Sequence, residues 1–457
     1  MNRRSRLIVA MLTSVTIWAT SGVAPTVVSA SAQSLLLPQL VDSALKDNPE
    51  LKGDQARWDV YREKIRQAGV LEDPMLMLRL QNMLIRDPLA FDQDSTTAKV
   101  FGITQTIPFK GKRGLAKEVA LQEAEAARWS LEERKVELVS MVKESWSQLL
   151  FVDRYLEIIA KNVVILDDLS RVSESQYSLG KGQQQDVLKA QLERTKMEEM
   201  RITLVQKRRS LVATLDTLAY RSADLEITPD SPLELTPLTL NAAELEQLAG
   251  DNRPVLKAIA AREKKAKAMH GLADLEVYPD LTFSFEYMQR NTSEMDANGY
   301  DMYSTGVTFN LPLQHDRRQA MVAESEADTR MAGADREMTM NQIRLGIADG
   351  LAKLEGSRNM AELYRQGIIP QANSTYEAAL AAYRAGRTEF MNVLENRMAI
   401  LNYERDYYEA VADHEMELAR LEAVVGSALT SGVRESVPSA ARQAEPQLQI
   451  TPQQEQK

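Results

Sequence analysis

Tyr177-Ser-Leu-Gly180-Lys-Gly-Gln-Gln-Gln-Asp186-Val187-Leu188 and Tyr383-Arg-Ala-Gly386-Arg-Thr-Glu-Phe-Met-Asn392-Val393-Leu394 are one pattern written twice. Gly180 and Gly386 stand 206 positions apart, and so do the Val-Leu pairs that follow them. Each copy sits where one long apolar-periodic segment stops and the next begins. Glycine enters the left-handed region without a Cβ penalty, so it ends a helix and lets the chain reverse. Two such reversals at one spacing predict two helical hairpins built on an internal repeat.

The helices that flank the first reversal are long. Between Leu115 and Leu179 there is neither proline nor glycine, and Leu149, Val152, Leu156, Ile159, Val163 and Leu166 step by three and four. That is the seam of helices packed in coiled-coil fashion. About 65 residues at 1.5 Å each predict a rod on the order of 100 Å, far beyond the needs of a globular domain. After Gly180 a return helix runs from Gln185 to about Ala219, and Pro229, Pro232 and Pro237 then break the chain. Beyond the second reversal, Met391, Leu394, Met398, Leu401, Leu418, Leu421 and Val425 keep the same spacing. Its leading helix, from about Arg317 to Tyr383, should kink or break near Pro370.

Ahead of each long helix the period changes from helical to two. Leu76, Leu78 and Leu80 alternate with Met77, Arg79 and Gln81, and Phe101, Ile103 and Ile107 with Gly102, Thr104 and Thr106. Leu281, Phe283, Phe285 and Tyr287 alternate with Thr282, Ser284 and Glu286, and Tyr303, Val307 and Phe309 with Ser304, Gly306 and Thr308. Pro279 and Pro312 answer Pro74 and Pro108 at spacings of 205 and 204. In the N-terminal part, a short helix is expected over Leu35–Leu51 with Pro49 near its end, followed by helix from Trp58 to Leu71.

The predicted units are therefore residues 1–32 as a secretory leader and 33–220 as a first repeat, with strands near 75–83 and 99–107 and a tip near 180. A linker over 221–240 precedes the second repeat, 241–430, with strands near 280–288 and 302–311 and a tip near 386; 431–457 form a disordered Pro/Gln/Ser-rich tail. In the leader, Arg3, Arg4 and Arg6 precede the apolar stretch Leu7–Ala19 and the small-residue site Ala30-Ser31-Ala32. Strands of about ten residues, apolar on one face and polar on the other, suit a barrel crossing a bilayer. Four strands cannot close a barrel, and lipid tolerates no open sheet edge. Copies must share one, and three copies make twelve strands around a pore. The fold class expected is mainly α with a small β part: long antiparallel helical hairpins forming a periplasmic tunnel, and four transmembrane strands per chain in a trimer with a shared 12-stranded barrel.

Composition narrows the function. At 457 residues, 44% hydrophobic and 26% charged, the chain is no disordered polymer. A net charge of −10 and the lack of a basic, aromatic-rich patch argue against nucleic acid. With no cysteine, disulfides, Cys-based metal sites and a lipidated N-terminal cysteine are impossible. His270, His315 and His414 are scattered without ligand spacing, so no metal or other cofactor is expected. Met391 and Met398 fall at helical spacing and read as core. Lys110-Gly-Lys-Arg-Gly114 lacks the spacing and hydroxyl of a phosphate loop and reads as a basic turn. The Glu132-Glu133 pair belongs to a charged helix face. Nothing joins a nucleophile to a base, so no enzyme is expected.

The doubled layout, with Tyr-x-x-Gly ahead of Asp-Val-Leu or Asn-Val-Leu, resembles the TolC family of outer-membrane efflux ducts over about Leu36 to Val425. The resemblance implies a homotrimeric exit duct of a tripartite efflux system, in the branch serving heavy-metal and other resistance pumps. Its implied partners are a periplasmic adaptor, an inner-membrane efflux pump and outer-membrane lipid. The tips that the adaptor grips would be Leu179, Gly180, Lys181, Ala385, Gly386 and Arg387. The family constricts the tunnel mouth with acidic residues in an Asp-Val-Leu-Asp pattern; here the matching positions are Asn392 and Glu395, so one carboxylate is an amide. Three copies of Glu395 would still form a cation-favouring ring. Two other readings compete. A poreless periplasmic coiled-coil adaptor would be soluble and leave the alternating segments without a role. A hydrolase using the acidic pairs would need a compact cleft that this periodicity does not suggest.

Overall fold

Uninterrupted helix-forming sequence and two-residue alternation occupy separate stretches of the chain, and they become separate parts of the fold. The computed structural model describes residues 33–221, 227–229, 232–293 and 297–429; the expected leader and tail lie outside them. In order, the elements are Gln33–Leu35 (β1), Leu37–Asp47 (α1), Pro49–Ala68 (α2), Met75–Gln81 (β2), Ala98–Ile107 (β3), Lys112–Ser178 (α3) and Gln184–Leu218 (α4). The second half continues with Ile227–Pro229 (β4), Ala242–Asn252 (α5), Pro254–Leu275 (α6), Leu281–Arg290 (β5), Met302–Phe309 (β6) and His315–Leu363 (α7). A π-helical turn, Tyr364–Ile368, then leads into Ile369–Arg384 (α8), and Phe390–Val425 forms α9.

The helix α3 has 67 residues and is unbroken, as the proline- and glycine-free run requires. Its counterpart His315–Arg384 is three residues longer and carries the π-turn near the expected break at Pro370. A π-turn bonds i to i+5 and so takes up inserted length without ending the helix. Proline here occupies the first turn of α8, where its missing N–H is least costly.

Two local expectations are corrected. Pro49 does not sit near the end of the first helix; it opens α2. Asn48 ends α1 and caps α2 by accepting from the backbone N–H groups of Glu50 (2.9 Å) and Leu51 (3.4 Å). Its amide nitrogen also donates to Leu218 O at 3.0 Å, tying the cap to the end of α4. The linker, expected as a plain break, contains β4, which pairs in parallel with β1.

Strands β2, β3, β5 and β6 form one antiparallel sheet in that order. Its register lines up the two kinds of residue that alternation separates. Leu78, Phe101, Tyr287 and Tyr303 make one cross-strand row, and Leu76, Ile103, Phe285 and Thr305 the next. All of these apolar side chains are exposed. The opposite face carries Met77, Gly102, Glu286 and Ser304 in one row, with an Arg79–Glu286 ion pair of 2.9 Å spanning from β2 to β5. Gly102 makes room for its row: a Cβ there would lie 2.9 Å from the Met77 methyl and 3.3 Å from Glu286 Cγ. Strands β2 and β6 are left as open edges.

The core lies between helices rather than around one centre. One cluster joins α1, the middle of α3, β4 and the linker through Leu40, Trp146, Leu149, Leu215 and Ile227. A second fills the hairpins with Ile159, Leu166, Met197, Phe390 and Leu401. A third holds α5 against α7 and α9 through Leu245, Ile347 and Leu421. Each fully buried Leu or Ile contributes about 1.5–3 kcal/mol, so these seams can hold rods together without a globular centre.

Candidate functional site

Both chain reversals share a pair of closing hydrogen bonds at equivalent residues, to which the first adds Gly182 N donating to Gln176 O (3.0 Å). In the first tip Gly180 N donates to Tyr177 O (2.9 Å) and Lys181 N to Gln176 O (2.9 Å). In the second, Gly386 N donates to Tyr383 O (2.9 Å) and Arg387 N to Ala382 O (2.8 Å). Gly180 and Gly386 have φ of +70° and +69°, and neither has an atom near where a Cβ would stand. Conformation alone therefore selects glycine at both points. Leu179 is 65% exposed, and Lys181, Ala385 and Arg387 are exposed with it. The six tip residues thus group as two exposed loops, each at the free end of its hairpin.

The residues behind the tips differ. Asp186 opens α4, is buried, and accepts from Gln183 N at 3.3 Å. Its counterpart Asn392 opens α9 on the exposed side and donates to Thr388 Oγ1 at 2.9 Å. Glu395 follows one turn later, also exposed. Asn392 and Glu395 therefore share one free stripe of α9, while Val393 and Leu394 between them are buried. Tyr383 packs on Phe390 with ring centres 5.5 Å apart, and its hydroxyl is buried without a partner; burial raises its pKa.

One pair of residues near this stripe went unnoticed in the sequence. Arg397 is only 6% exposed, and its Nε donates to Oδ1 of the buried Asn162 on α3 at 2.8 Å. Asn162 returns its amide nitrogen to Ile158 O at 2.8 Å, which fixes the orientation of the amide. The Arg397 guanidinium also faces the Tyr376 ring, 5.8 Å from its centre. Burial pulls its pKa down, with Glu404 and Tyr376 opposing. A signal was available: Arg397 falls on the seam between Val393 and Ile400, where the pattern calls for an apolar residue.

Among the described residues no group of three or more His, Asp or Glu side chains is placed to hold a metal ion. His270 Nδ1 lies 3.0 Å from Ser325 Oγ, and His414 Nε2 2.9 Å from Thr236 O, so both serve packing contacts. Glu133, from the acidic pair, meets Arg253, and burial raises the one pKa and lowers the other. No described helix is long and apolar enough to cross a membrane.

Comparison with known proteins places this architecture. The family model for outer membrane efflux proteins matches residues 40–220 and 245–427. The cobalt-zinc-cadmium resistance protein CzcC of Cupriavidus metallidurans is 25% identical over 377 residues, covering 80% of this chain and 84% of that protein. Among solved structures, the outer membrane protein VceC of Vibrio cholerae superposes with a TM-score of 0.72 at 19% identity, covering 86% of this chain and 96% of VceC. CusC superposes with 0.73 at 14% identity, covering 86% and 92%. The open state of the Neisseria gonorrhoeae MtrE outer membrane channel gives 0.68 at 16%, covering 86% and 89%.

Proposed function

This chain belongs to the outer membrane efflux protein family, and from that premise we propose that three copies pool their sheets into one twelve-stranded barrel continued by a helical tunnel. The observation that carries the reading is the open, two-faced sheet. Its exposed face is Leu, Phe, Ile and Tyr, its other face is Thr, Ser, Glu, Arg and Met, and β2 and β6 end it without partners. Unpaired strand edges are not tolerated in lipid, so the sheet is complete only when β2 of one copy meets β6 of the next. The two central strands, β3 and β5, have ten residues each, the length a tilted strand needs to cross a bilayer, and the edge strands β2 and β6 are shorter at seven and eight.

The helices then stand in the periplasm as a duct, with both glycine tips at the far end. A periplasmic adaptor joined to an inner-membrane pump docks there, on Leu179, Gly180, Lys181, Ala385, Gly386 and Arg387. Three copies of the Asn392–Glu395 stripe line the mouth, and the Glu395 ring favours cations. The channel is passive and catalyses nothing. CzcC is a cobalt-zinc-cadmium resistance protein, so divalent metal ions are the first cargo to test.

The test is conductance in planar bilayers. Purified protein should insert as ion-conducting units, and Glu395→Ala should lower cation over anion selectivity without changing oligomeric state. Unchanged selectivity would remove Glu395 from the mouth. Protein that inserts no conducting unit would contradict the duct itself.

A further inference from the structure

The four-stranded sheet sorts one residue type to a single side. Its methionines are Met75 and Met77 on β2, Met288 on β5 and Met302 on β6. The register puts all four on the face that also holds Gly102, Thr104, Ser284 and Glu286. The opposite face takes its exposed apolar side chains from Leu, Ile, Phe, Tyr and Val, and carries no methionine. Methionine used only for its apolar surface would stand there with its equals. Its place on the polar face singles out the other property of the side chain, a polarisable thioether sulfur on a flexible stem.

Two of these side chains are immediate neighbours. Met288 and Met302 are direct cross-strand partners. Such partners have Cβ atoms about 4.5–5.5 Å apart on one face, within the span that two flexible thioether arms can close on a common ion. Met302 is 49% exposed, so the pair is open to water on this face. The charges that flank Met288 on β5 are engaged elsewhere. Glu286 pairs with Arg79 at 2.9 Å, and Arg290 donates to Ser95 O at 3.0 Å and to Tyr300 O at 2.9 Å. The pair is therefore a neutral donor set made of sulfur alone.

We propose that Met288 and Met302 form a binding site for soft monovalent cations, Cu(I) or Ag(I), inside the barrel. The inference goes beyond the cargo suggested above and rests on the shared barrel, which turns this face toward the lumen. Thioether sulfur is a soft ligand that suits Cu(I), whereas carboxylate, carbonyl and water suit Mg²⁺, Ca²⁺ and Mn²⁺. Zinc takes thiolate, imidazole and carboxylate, none of which the pair offers. The cation exchanges water for sulfur and keeps its charge. Three copies place three such pairs around one lumen. Met75 and Met77 stand on the same wall nearer the helices, so an ion leaving the tunnel meets them before the pair. Several weak sites in series let an ion enter and still leave, which a conducting pore requires.

Silver ion is the probe. The assembled protein is dialysed to equilibrium against silver nitrate in chloride-free buffer, and bound metal is counted by mass spectrometry. Met288→Leu combined with Met302→Leu keeps the apolar volume and removes both sulfurs, so it should bind about one silver ion per copy fewer than the parent. Met331→Leu combined with Met338→Leu, which removes two exposed methionines from α7, should bind as much silver as the parent. Zinc nitrate should give the same result for the parent and the strand variant. Equal silver uptake by the parent and the strand variant would overturn the site. So would an equal loss from the α7 variant, which would make binding a property of any exposed methionine. Should planar bilayers show conducting units while the strand variant still binds silver as the parent does, the site alone fails and the duct stands. Silver lost from the strand variant of a protein that forms no conducting unit would overturn the lumen placement.

Discussion

The two repeats end their return helices at equivalent positions and solve the same problem with different residues. In the first, Tyr220 takes φ +51° after α4; 206 positions on, Gly426 takes φ +79° after α9. Arg221 N donates to Asp216 O (2.8 Å), and Ser427 N to Glu422 O (3.2 Å), the same bond in both copies. Yet Tyr220 is strained where Gly426 is not. Asp216 is 3% exposed with both oxygens unpartnered, whereas Glu422 pairs with Lys143 and accepts from Leu429 N at 3.0 Å. The same asymmetry appears below, where Phe390 is buried and its counterpart Gln184 is exposed. Backbone geometry has been kept in duplicate while side-chain packing has not. The second repeat is the better satisfied copy at these points.

The largest expected effect lies at the hairpin. Phe390→Ala removes a side chain that is 1% exposed and should destabilise by about 3–5 kcal/mol, while Gln184→Ala should stay within about 0.5 kcal/mol. Denaturant unfolding of the purified protein checks both, and equal costs would end the asymmetry. Glu422→Gln strands Lys143 against a neutral amide. Since Lys143 is a quarter exposed, the cost should be about 1–3 kcal/mol, read in the same way.

The helix ends provide the next comparison. Gly426→Ala forces a Cβ into the left-handed region and to 2.9 Å from Arg253 Cα, so it should cost more than about 1 kcal/mol. Tyr220→Gly relieves the matching strain and should raise stability by about 1 kcal/mol or less. Opposite signs are the point of the pair.

The smallest effect is a pH dependence. Burial holds the Asp216 carboxyl above its ordinary pKa, with Arg221 only partly opposing. The folded chain therefore binds that proton more tightly than the unfolded chain. Its stabilising contribution is complete below the unfolded pKa of about 3.9 and is lost as pH rises through the higher folded value. Asp216→Asn should accordingly raise the melting temperature near pH 7 and leave it unchanged near pH 3.5. A gain of equal size at both pH values would mean that the carboxylate is not the cause.

How much of this was legible depended on how many residues carried each signal. The strands were readable because every second residue of Leu281–Tyr287 is apolar or aromatic, and the observed register places those residues on one exposed face. The long helix was readable because a run of that length without Gly or Pro has few alternatives. Gly180 and Gly386 marked the tips because no other residue takes that conformation cheaply. Shorter signals failed. The β1–β4 pair has three residues on each side, too few for alternation to register. Pro49 was placed at a helix end because proline both breaks a helix and opens one, and only the Asn48 cap decides between them. Pro370 marked an irregularity in the second long helix, and the spacing that grows from 204 at Pro108/Pro312 to 206 at Gly180/Gly386 was the sign of added length; neither specifies a π-turn. Arg397 was passed over because charges on long helices are usually solvated, and its partner Asn162 lies 235 positions away.

One copy leaves β2 and β6 as open edges and cannot complete its own sheet. The protein has no cysteine, so cysteines placed singly along β2 and along β6 and combined in pairs would report directly on the missing neighbour. Oxidation in outer membranes should link β2 of one copy to β6 of the next and give covalent dimers and trimers, with no larger species, on a non-reducing gel. Monomer for every pair tested, from a protein that still reaches the membrane with its sheet formed, would contradict the account.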